Sequence, residues 1–109
     1  MGLHLTFWPN PVYRNHPGEG RWYFHVSVHQ EGTKNVHVWR YRGEWYDLTD
    51  HLHETKEDRL DLHLAPNQHI SYPDLWVSSS VCPFRYRLII FGREEDGQEV
   101  RAEATLICQ

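Results

Sequence analysis

Cysteine is scarce in this chain of 109 residues, which contains only Cys82 and Cys108. Two cysteines without CxxC spacing do not form a disulfide framework, a zinc ribbon or a thioredoxin-type redox site, so these classes of small protein are not indicated. Because the sequence shows no export signal, we expect both thiols to remain reduced in the cytoplasm.

Long apolar runs are also missing. No stretch approaches the roughly 18 apolar residues that a membrane-spanning helix needs. The N-terminal sequence MGLHLTFWPNP lacks both the basic start and the apolar core of a signal peptide. We therefore expect no membrane span and a cytoplasmic location.

Positive charge is not in excess, because the formal net charge is -4 and the sequence pI is about 6.1. Proteins that bind nucleic acids in general usually carry a basic patch and a high pI. The charge balance therefore argues against general nucleic-acid binding.

Catalytic motifs are absent as well. The sequence contains no GxSxG, no Gly-rich phosphate loop and no HExxH. Its paired acidic residues lie in polar stretches, where carboxylates are usually only solvated. We predict no catalytic residue, no cofactor and no enzymatic activity.

What the sequence does contain is a series of short alternating segments separated by turn residues. Residues 3–8 alternate between apolar and polar side chains, which is typical of a strand. In the C-terminal quarter, a turn at residues 94–97 predicts a hairpin that places Ile90 beside Ala102.

The middle of the chain is less regular. Residues 49–59, TDHLHETKEDR, lack an apolar stripe and predict a loop with at most one helical turn. Residues 60–64 predict a half-buried strand, and residues 69–81 predict an edge strand or an irregular crossing.

The stretch from 21 to 42, RWYFHVSVHQEGTKNVHVWRYR, predicts two strands that pair as a hairpin. The register that sets apolar against apolar places Val28 beside Val36 and Val26 beside Val38. One face of this hairpin is then apolar and suits a core. The opposite face collects rings that can hydrogen-bond, namely Tyr23, His25, His29, His37, Trp39 and Tyr41.

The number of strands, the lack of a long helix and the chain length predict the fold class. We expect one antiparallel β-sandwich domain over residues 1–109, of the immunoglobulin-like kind, with six to eight short strands. A small β-barrel is the alternative.

Nine histidines raise the question of a metal site. Zinc needs three or four ligands that converge at about 2 Å from the ion. In the predicted hairpin His25 lies diagonally across from His37, but no third ligand follows at a fixed offset. We interpret the histidines as scattered surface residues and predict no metal ligand, with a His-ligated metal protein or metal-dependent enzyme as an alternative.

The run from Val36 to Trp45, VHVWRYRGEW, resembles strands of the starch- and glycogen-binding β-sandwich modules. In those modules an alternating strand is followed by a Gly/Asp-x-Trp that stacks on sugar. The resemblance covers about ten of the 109 residues. It implies an oligosaccharide partner, with Trp45 and Trp39 as the stacking residues.

A ring-rich sheet face that meets water favours a contact surface, because Trp and Tyr are frequent hot spots of protein interfaces. We predict a non-catalytic binding module whose partner is another protein, and an exposed edge near residues 70–77 permits a homodimer. The alternative is that a loop, at residues 51–59 or 9–20, covers this face. The predicted partner- or ligand-binding residues are Tyr23, His25, His37, Trp39, Tyr41 and Trp45.

Overall fold

Seven antiparallel strands run through residues 2–13 and 20–109, which this computed structural model describes. The strands are β1 Leu3–Trp8, β2 Trp22–Gln30, β3 Val36–Tyr46, β4 Leu52–Leu64, β5 His69–Val77, β6 Phe84–Glu94 and β7 Glu99–Cys108. The described ranges contain no helix that is long and apolar enough to cross a membrane. The prediction of an antiparallel β-sandwich with six to eight strands is confirmed.

The strands divide into two sheets. A three-stranded sheet has the order β1-β2-β5, and a four-stranded sheet has the order β4-β3-β6-β7. In constant-type immunoglobulin sandwiches the first, second and fifth strands also share a sheet, and the fourth strand joins them. Here the fourth strand pairs with the third instead, so that β4 and β5 are both outermost strands.

The core lies between the two sheets and consists of the inward-facing half of each alternating strand. On β2, Trp22, Phe24, Val26 and Val28 are buried, as the alternation predicts. The ring of Trp22 meets that of Phe84 edge to face, with centroids 4.9 Å apart. Such pairs add about 0.5–1.5 kcal/mol to the burial of the rings.

The predicted pairing of the first two long strands is wrong. β2 and β3 lie in different sheets, so Val26 and Val28 face Val36 and Val38 across the core and not along a shared edge. The buried Gln30 closes this arch, because its Nε2 donates to the carbonyl of Lys34 at 2.7 Å and its Oε1 accepts from the amide of Gly32 at 3.1 Å. Alternation predicted the buried face of β2 and of the start of β3 but did not specify the neighbouring strand.

A bulge in β3 changes which side chains face the core. Val38 pairs with Gly92 on β6 and Arg40 pairs with the adjacent Phe91, so Trp39 is one extra residue of β3 against β6. An extra residue in a strand reverses the alternation that follows it. Even-numbered residues face the core before the bulge, and odd-numbered residues face it afterwards.

The prediction of a loop at residues 49–59 is also wrong. β4 begins at Leu52 and continues for 13 residues. Its side chains are exposed on both faces over most of this length, so no apolar alternation is needed, and backbone pairing to β3 defines the strand. The preceding turn is fixed by Asp47, whose Oδ1 accepts from the amides of Thr49 and His51 at 2.9 and 3.0 Å.

The C-terminal hairpin is confirmed. Ile90 pairs with Ala102 between β6 and β7. Gly97 takes a φ of 92° in the connecting turn, a conformation that glycine adopts without a steric penalty. β5 is confirmed as an edge strand of the three-stranded sheet.

One side of the sandwich is closed by the segment that follows β1. The amide of Val12 donates to the carbonyl of Ile107 at 2.8 Å, and the amide of Gln109 donates to the carbonyl of Val12 at 2.9 Å. The C-terminal end of the β7 edge is therefore covered. The remainder of the predicted loop at residues 9–20 lies partly outside the described residues.

Both cysteines are free, as expected. Cys82 is exposed, whereas Cys108 is buried at the end of β7. Desolvation, with a contribution from Cys82, raises the pKa of the Cys108 thiol to about 12. Cys108 therefore behaves as a small core residue.

Candidate binding cleft between two sheet edges

The six predicted site residues do not share one face. Tyr23 and His25 lie on the outer face of the three-stranded sheet, because their neighbours along β2 fill the core. His37 and Trp39 lie on the outer side of the four-stranded sheet, which points in the opposite direction. Past the bulge, Tyr41 packs against the core and Trp45 is buried within it. These two rings therefore lie between the sheets.

Tyr41 and Trp45 line an open cleft between the outermost strands β4 and β5. The cleft has a volume of about 750 Å³. Among the described strands, β4 pairs only with β3 and β5 pairs only with β2, so each leaves one backbone edge unpaired. We call this feature the edge cleft and define it by Tyr41, Trp45, Leu60, Tyr72, Leu75 and Tyr86.

The floor of the edge cleft is aromatic. The rings of Trp45 and Tyr86 lie 4.8 Å apart between centroids. Desolvation, together with the nearby Tyr41, raises the pKa of Tyr86 well above its usual range, so this hydroxyl stays neutral. The floor therefore favours apolar ligands that have hydrogen-bonding atoms.

Trp45 also carries an unused donor. The side chain is only 8% exposed, and its indole N–H has no hydrogen-bond partner in the described part of the chain. Leaving a buried donor unpaired costs about 1–3 kcal/mol. This N–H has almost no accessible surface, so a ligand in the cleft reaches it only if the ring of Trp45 moves.

The rim of the edge cleft exposes apolar side chains from both strands. Leu60 is 36% exposed on β4, and Tyr72 and Leu75 are 38% and 39% exposed on β5. Between the latter two, Asp74 takes a positive φ of 59° and the register of β5 against β2 shifts. This irregularity keeps Tyr72 and Leu75 on the same side, facing the opening.

The charged residues that line the edge cleft are mostly acidic. Glu54, Asp61 and Asp74 contribute carboxylates, and Lys56 contributes one ammonium group. Carboxylates at the mouth of a cleft with apolar walls create a negative potential that attracts cations. A ligand with positive charge beside its apolar groups is therefore favoured.

A second group of polar residues lies on the outer side of the four-stranded sheet. Asp61 Oδ1 lies 2.9 Å from His37 Nε2 and 3.0 Å from His63 Nε2. The two imidazole rings stack with centroids 4.2 Å apart. A hydrogen bond from His37 and the nearby charge of His63 lower the pKa of Asp61. The sequence reasoning considered His37 with His25, whereas the structure places it beside His63.

The outer face of the three-stranded sheet keeps part of the predicted aromatic surface. The ring of Trp8 is 68% exposed and lies 5.4 Å from the ring of His25. Tyr23 pairs with Trp76 on β5. The sequence reasoning missed both tryptophans, although the alternation of β1 already placed Trp8 on the outer face.

Comparisons with known proteins identify the fold. No family model matches the sequence, and no curated protein sequence matches it. The putative ApaA protein from Bordetella pertussis has a similar structure, with a TM-score of 0.72 over 95% of this chain and 91% of that chain at 16% identity. Target SoR45 of the Northeast Structural Genomics Consortium gives a TM-score of 0.63 over 95% of this chain and 83% of that chain at 10% identity. At such low identities the likeness shows the fold alone.

Proposed function

We propose that this protein is a non-catalytic binding module that accepts an extended segment of a partner protein in the edge cleft. The observation that carries the proposal is an apolar cleft bordered by unpaired strand edges on both sides. An extended peptide can add to such an edge through backbone hydrogen bonds, while alternate side chains enter the adjacent pockets.

β4 is the edge that suits an added strand. It runs for 13 residues and contains no proline. In β5, by contrast, Pro73 lacks a backbone N–H and Asp74 departs from strand geometry. A strand added to β4 would extend the four-stranded sheet across the opening of the cleft.

The lining of the cleft defines the chemistry of the partner segment. Apolar side chains at alternate positions would lie against Leu60 on one rim and Tyr72 and Leu75 on the other. Lysine or arginine at the flanking positions would meet the carboxylates of Glu54 and Asp74. The expected segment therefore alternates apolar residues with basic ones.

The proposal is tested with synthetic ten-residue peptides of alternating valine and lysine, compared with peptides of alternating valine and glutamate. Binding is followed by fluorescence anisotropy of labelled peptide and by amide chemical shifts of the protein. We expect the lysine peptide to bind more tightly and to shift resonances of β4 and β5. No binding of either peptide, or shifts confined to Trp8 and His25 on the outer face of the three-stranded sheet, would contradict the proposal.

A matched pair of variants locates the binding site. Leu60→Lys places a cation on the rim of the cleft, while Ile107→Lys places one at an equally exposed site on β7, since the two side chains are 36% and 37% exposed. We expect Leu60→Lys to weaken the lysine peptide by about tenfold or more, or ~1.4 kcal/mol, and Ile107→Lys to have little effect. Equal weakening by both variants would contradict a site in the cleft.

Two other occupants are outcomes of the same experiment. A concentration-dependent dimer that Leu60→Lys dissociates would show that a second copy of the chain fills the cleft, in place of a partner segment. Competition by soluble oligosaccharides would instead support the carbohydrate alternative. That alternative implied stacking on Trp45 and Trp39, of which Trp45 is only 8% exposed and Trp39 is 38% exposed.

A further inference from the structure

Among the residues that the structure describes, histidines meet carboxylates at three places on the surface. Asp47 contacts His51 and His53, and Glu31 contacts His4 and His29. The third place is the group of His37, Asp61 and His63 described above. Over residues 2–13 and 20–109, only this third group brings ligand atoms from three residues within 4.8 Å of one another.

The other two groups are arranged differently. Asp47 is engaged by its own turn, because it accepts hydrogen bonds from two backbone amides and from the Thr49 hydroxyl. At Glu31 the two imidazoles approach different oxygens, His4 at Oε2 and His29 at Oε1, at 3.0 and 3.5 Å. Neither arrangement leaves three donor atoms directed at one point.

We propose that His37, Asp61 and His63 form a binding site for a divalent transition-metal ion, with Zn²⁺ as the reference ion. Imidazole nitrogen and carboxylate oxygen together are a ligand set that Zn²⁺ accepts. Three protein ligands leave a fourth coordination position for water or for a group from a partner. This site shares Asp61 with the rim of the edge cleft but does not depend on peptide binding.

The backbone holds the three ligands in place. His37 and His63 are directly paired across β3 and β4. Asp61 precedes His63 by two residues, and side chains at this spacing lie on the same face of a strand. The two histidines are thus positioned by strand register, and Asp61 lies on the same strand where that register shifts.

The distances are close to those that a tetrahedral ion requires. Donors at 2.0–2.1 Å from Zn²⁺ lie roughly 3.3 Å apart. Each imidazole Nε2 lies 2.9 or 3.0 Å from Asp61 Oδ1, so only a small outward movement is required. The stacked rings must also tilt to direct both nitrogens at the ion. His63 has room to do so because its side chain is 72% exposed.

The test is isothermal titration of the tag-free protein with ZnCl₂ after EDTA treatment and desalting. We expect one equivalent of Zn²⁺ per chain, without any peptide present. Asp61→Asn and His63→Asn should each weaken the affinity by roughly tenfold or more. His51→Asn is the matched control, because it removes an exposed histidine beside Asp47 and should leave the affinity unchanged.

A spectroscopic signature separates this site from general affinity of histidines for metals. Co²⁺ in the same site should give the strong visible absorption of a four-coordinate ion, and Asp61→Asn should abolish it. Affinity should also fall as the pH is lowered, since imidazole ligands must be deprotonated to bind metal. Weak binding of several ions, or equal weakening by His51→Asn, would show adventitious binding only and overturn the proposal. Peptide binding can succeed or fail independently of this result.

Discussion

The two sides of the sandwich differ in whether the edge strands are covered by other parts of the chain. On one side β1 contacts β7, and the segment around Val12 adds hydrogen bonds along the edge of β7. On the other side the described strands leave the edges of β4 and β5 without a partner, and the core opens into the edge cleft. The same fold thus has a closed side and an open side.

The largest fully buried rings, Trp22 and Phe84, lie towards the closed side. Trp22 is 1% exposed, packs on Phe84, and donates its indole N–H to the carbonyl of Gln109 at 2.9 Å. On the open side the large side chains Tyr72 and Leu75 are only partly buried. Weakly packed regions of this kind supply the surfaces that bind partners, because their groups are not committed to the core.

The largest expected effect contrasts the two sides directly. Trp22→Ala should lower the free energy of unfolding by about 3–5 kcal/mol, because it removes a buried ring and leaves a cavity. Leu75→Ala, at a side chain that is 39% exposed, should cost about 1 kcal/mol or less. Guanidinium denaturation followed by circular dichroism measures both values. Similar losses for the two variants would mean that the open side contributes to the core as much as the closed side.

The next largest effect on the free energy of unfolding compares a glutamine at the arch between β2 and β3 with a glutamine at the turn between β4 and β5. Gln30→Leu should cost about 1–3 kcal/mol, because it leaves the carbonyl of Lys34 and the amide of Gly32 unpaired in a buried arch. Gln68, which accepts from the amide of Ala65 at 2.8 Å in the exposed turn between β4 and β5, is the control. Gln68→Leu should cost less, because water can replace that hydrogen bond. The same denaturation experiment gives both values.

The smallest effect is on the free energy of unfolding at low pH. It compares the buried carboxylate of Glu44 with the exposed carboxylate of Asp61. Desolvation acts to raise the pKa of Glu44, but hydrogen bonds from Arg42 and Tyr46 outweigh it and lower the pKa. The pKa of Asp61 is lowered by its two histidines. Both carboxylates therefore stabilise the fold above their unfolded pKa values of about 4, and this contribution is lost as the pH falls through the folded values.

Replacing either carboxylate by its amide should reduce the loss of stability below pH ~4. Glu44→Gln should have the larger effect, since Glu44 is buried by two arginines and Asp61 is exposed. Denaturation midpoints at pH 3 and pH 6 provide the comparison. A steeper acid loss in Asp61→Asn than in Glu44→Gln would reverse the expected order.

Local patterns in the sequence predicted most of the strands, the buried faces of β1, β2 and β7, and the C-terminal hairpin. Its turn at Glu94–Gly97 is short, so the pairing follows from neighbouring residues. The pairing of Val28 with Val36 failed, because an arch and a hairpin produce the same alternation. β4 was missed because a strand that is exposed to solvent on both faces does not need alternating apolar residues.

The candidate site was harder to predict for the same reason. Tyr41 and Trp45 were chosen as surface rings, and the bulge at Trp39 turned both into the cleft. Leu60 and Leu75 join them only because β4 and β5 end up as opposing edges, which depends on pairings between distant parts of the chain. The proposed metal ligands Asp61 and His63 can be recognised in the sequence by their spacing of two within a strand, but their partner His37 is supplied by the pairing of β3 with β4.

The extra residue at Trp39 determines which side of the sheet each later residue of β3 occupies. Removing it would reverse the side on which these residues lie, so that Trp45 would face solvent and Arg42 and Glu44 would face the interior. A strand that lacks this extra residue must therefore be aligned to β3 with a gap of one position, because otherwise every residue after Trp39 is compared with one from the opposite side of the sheet.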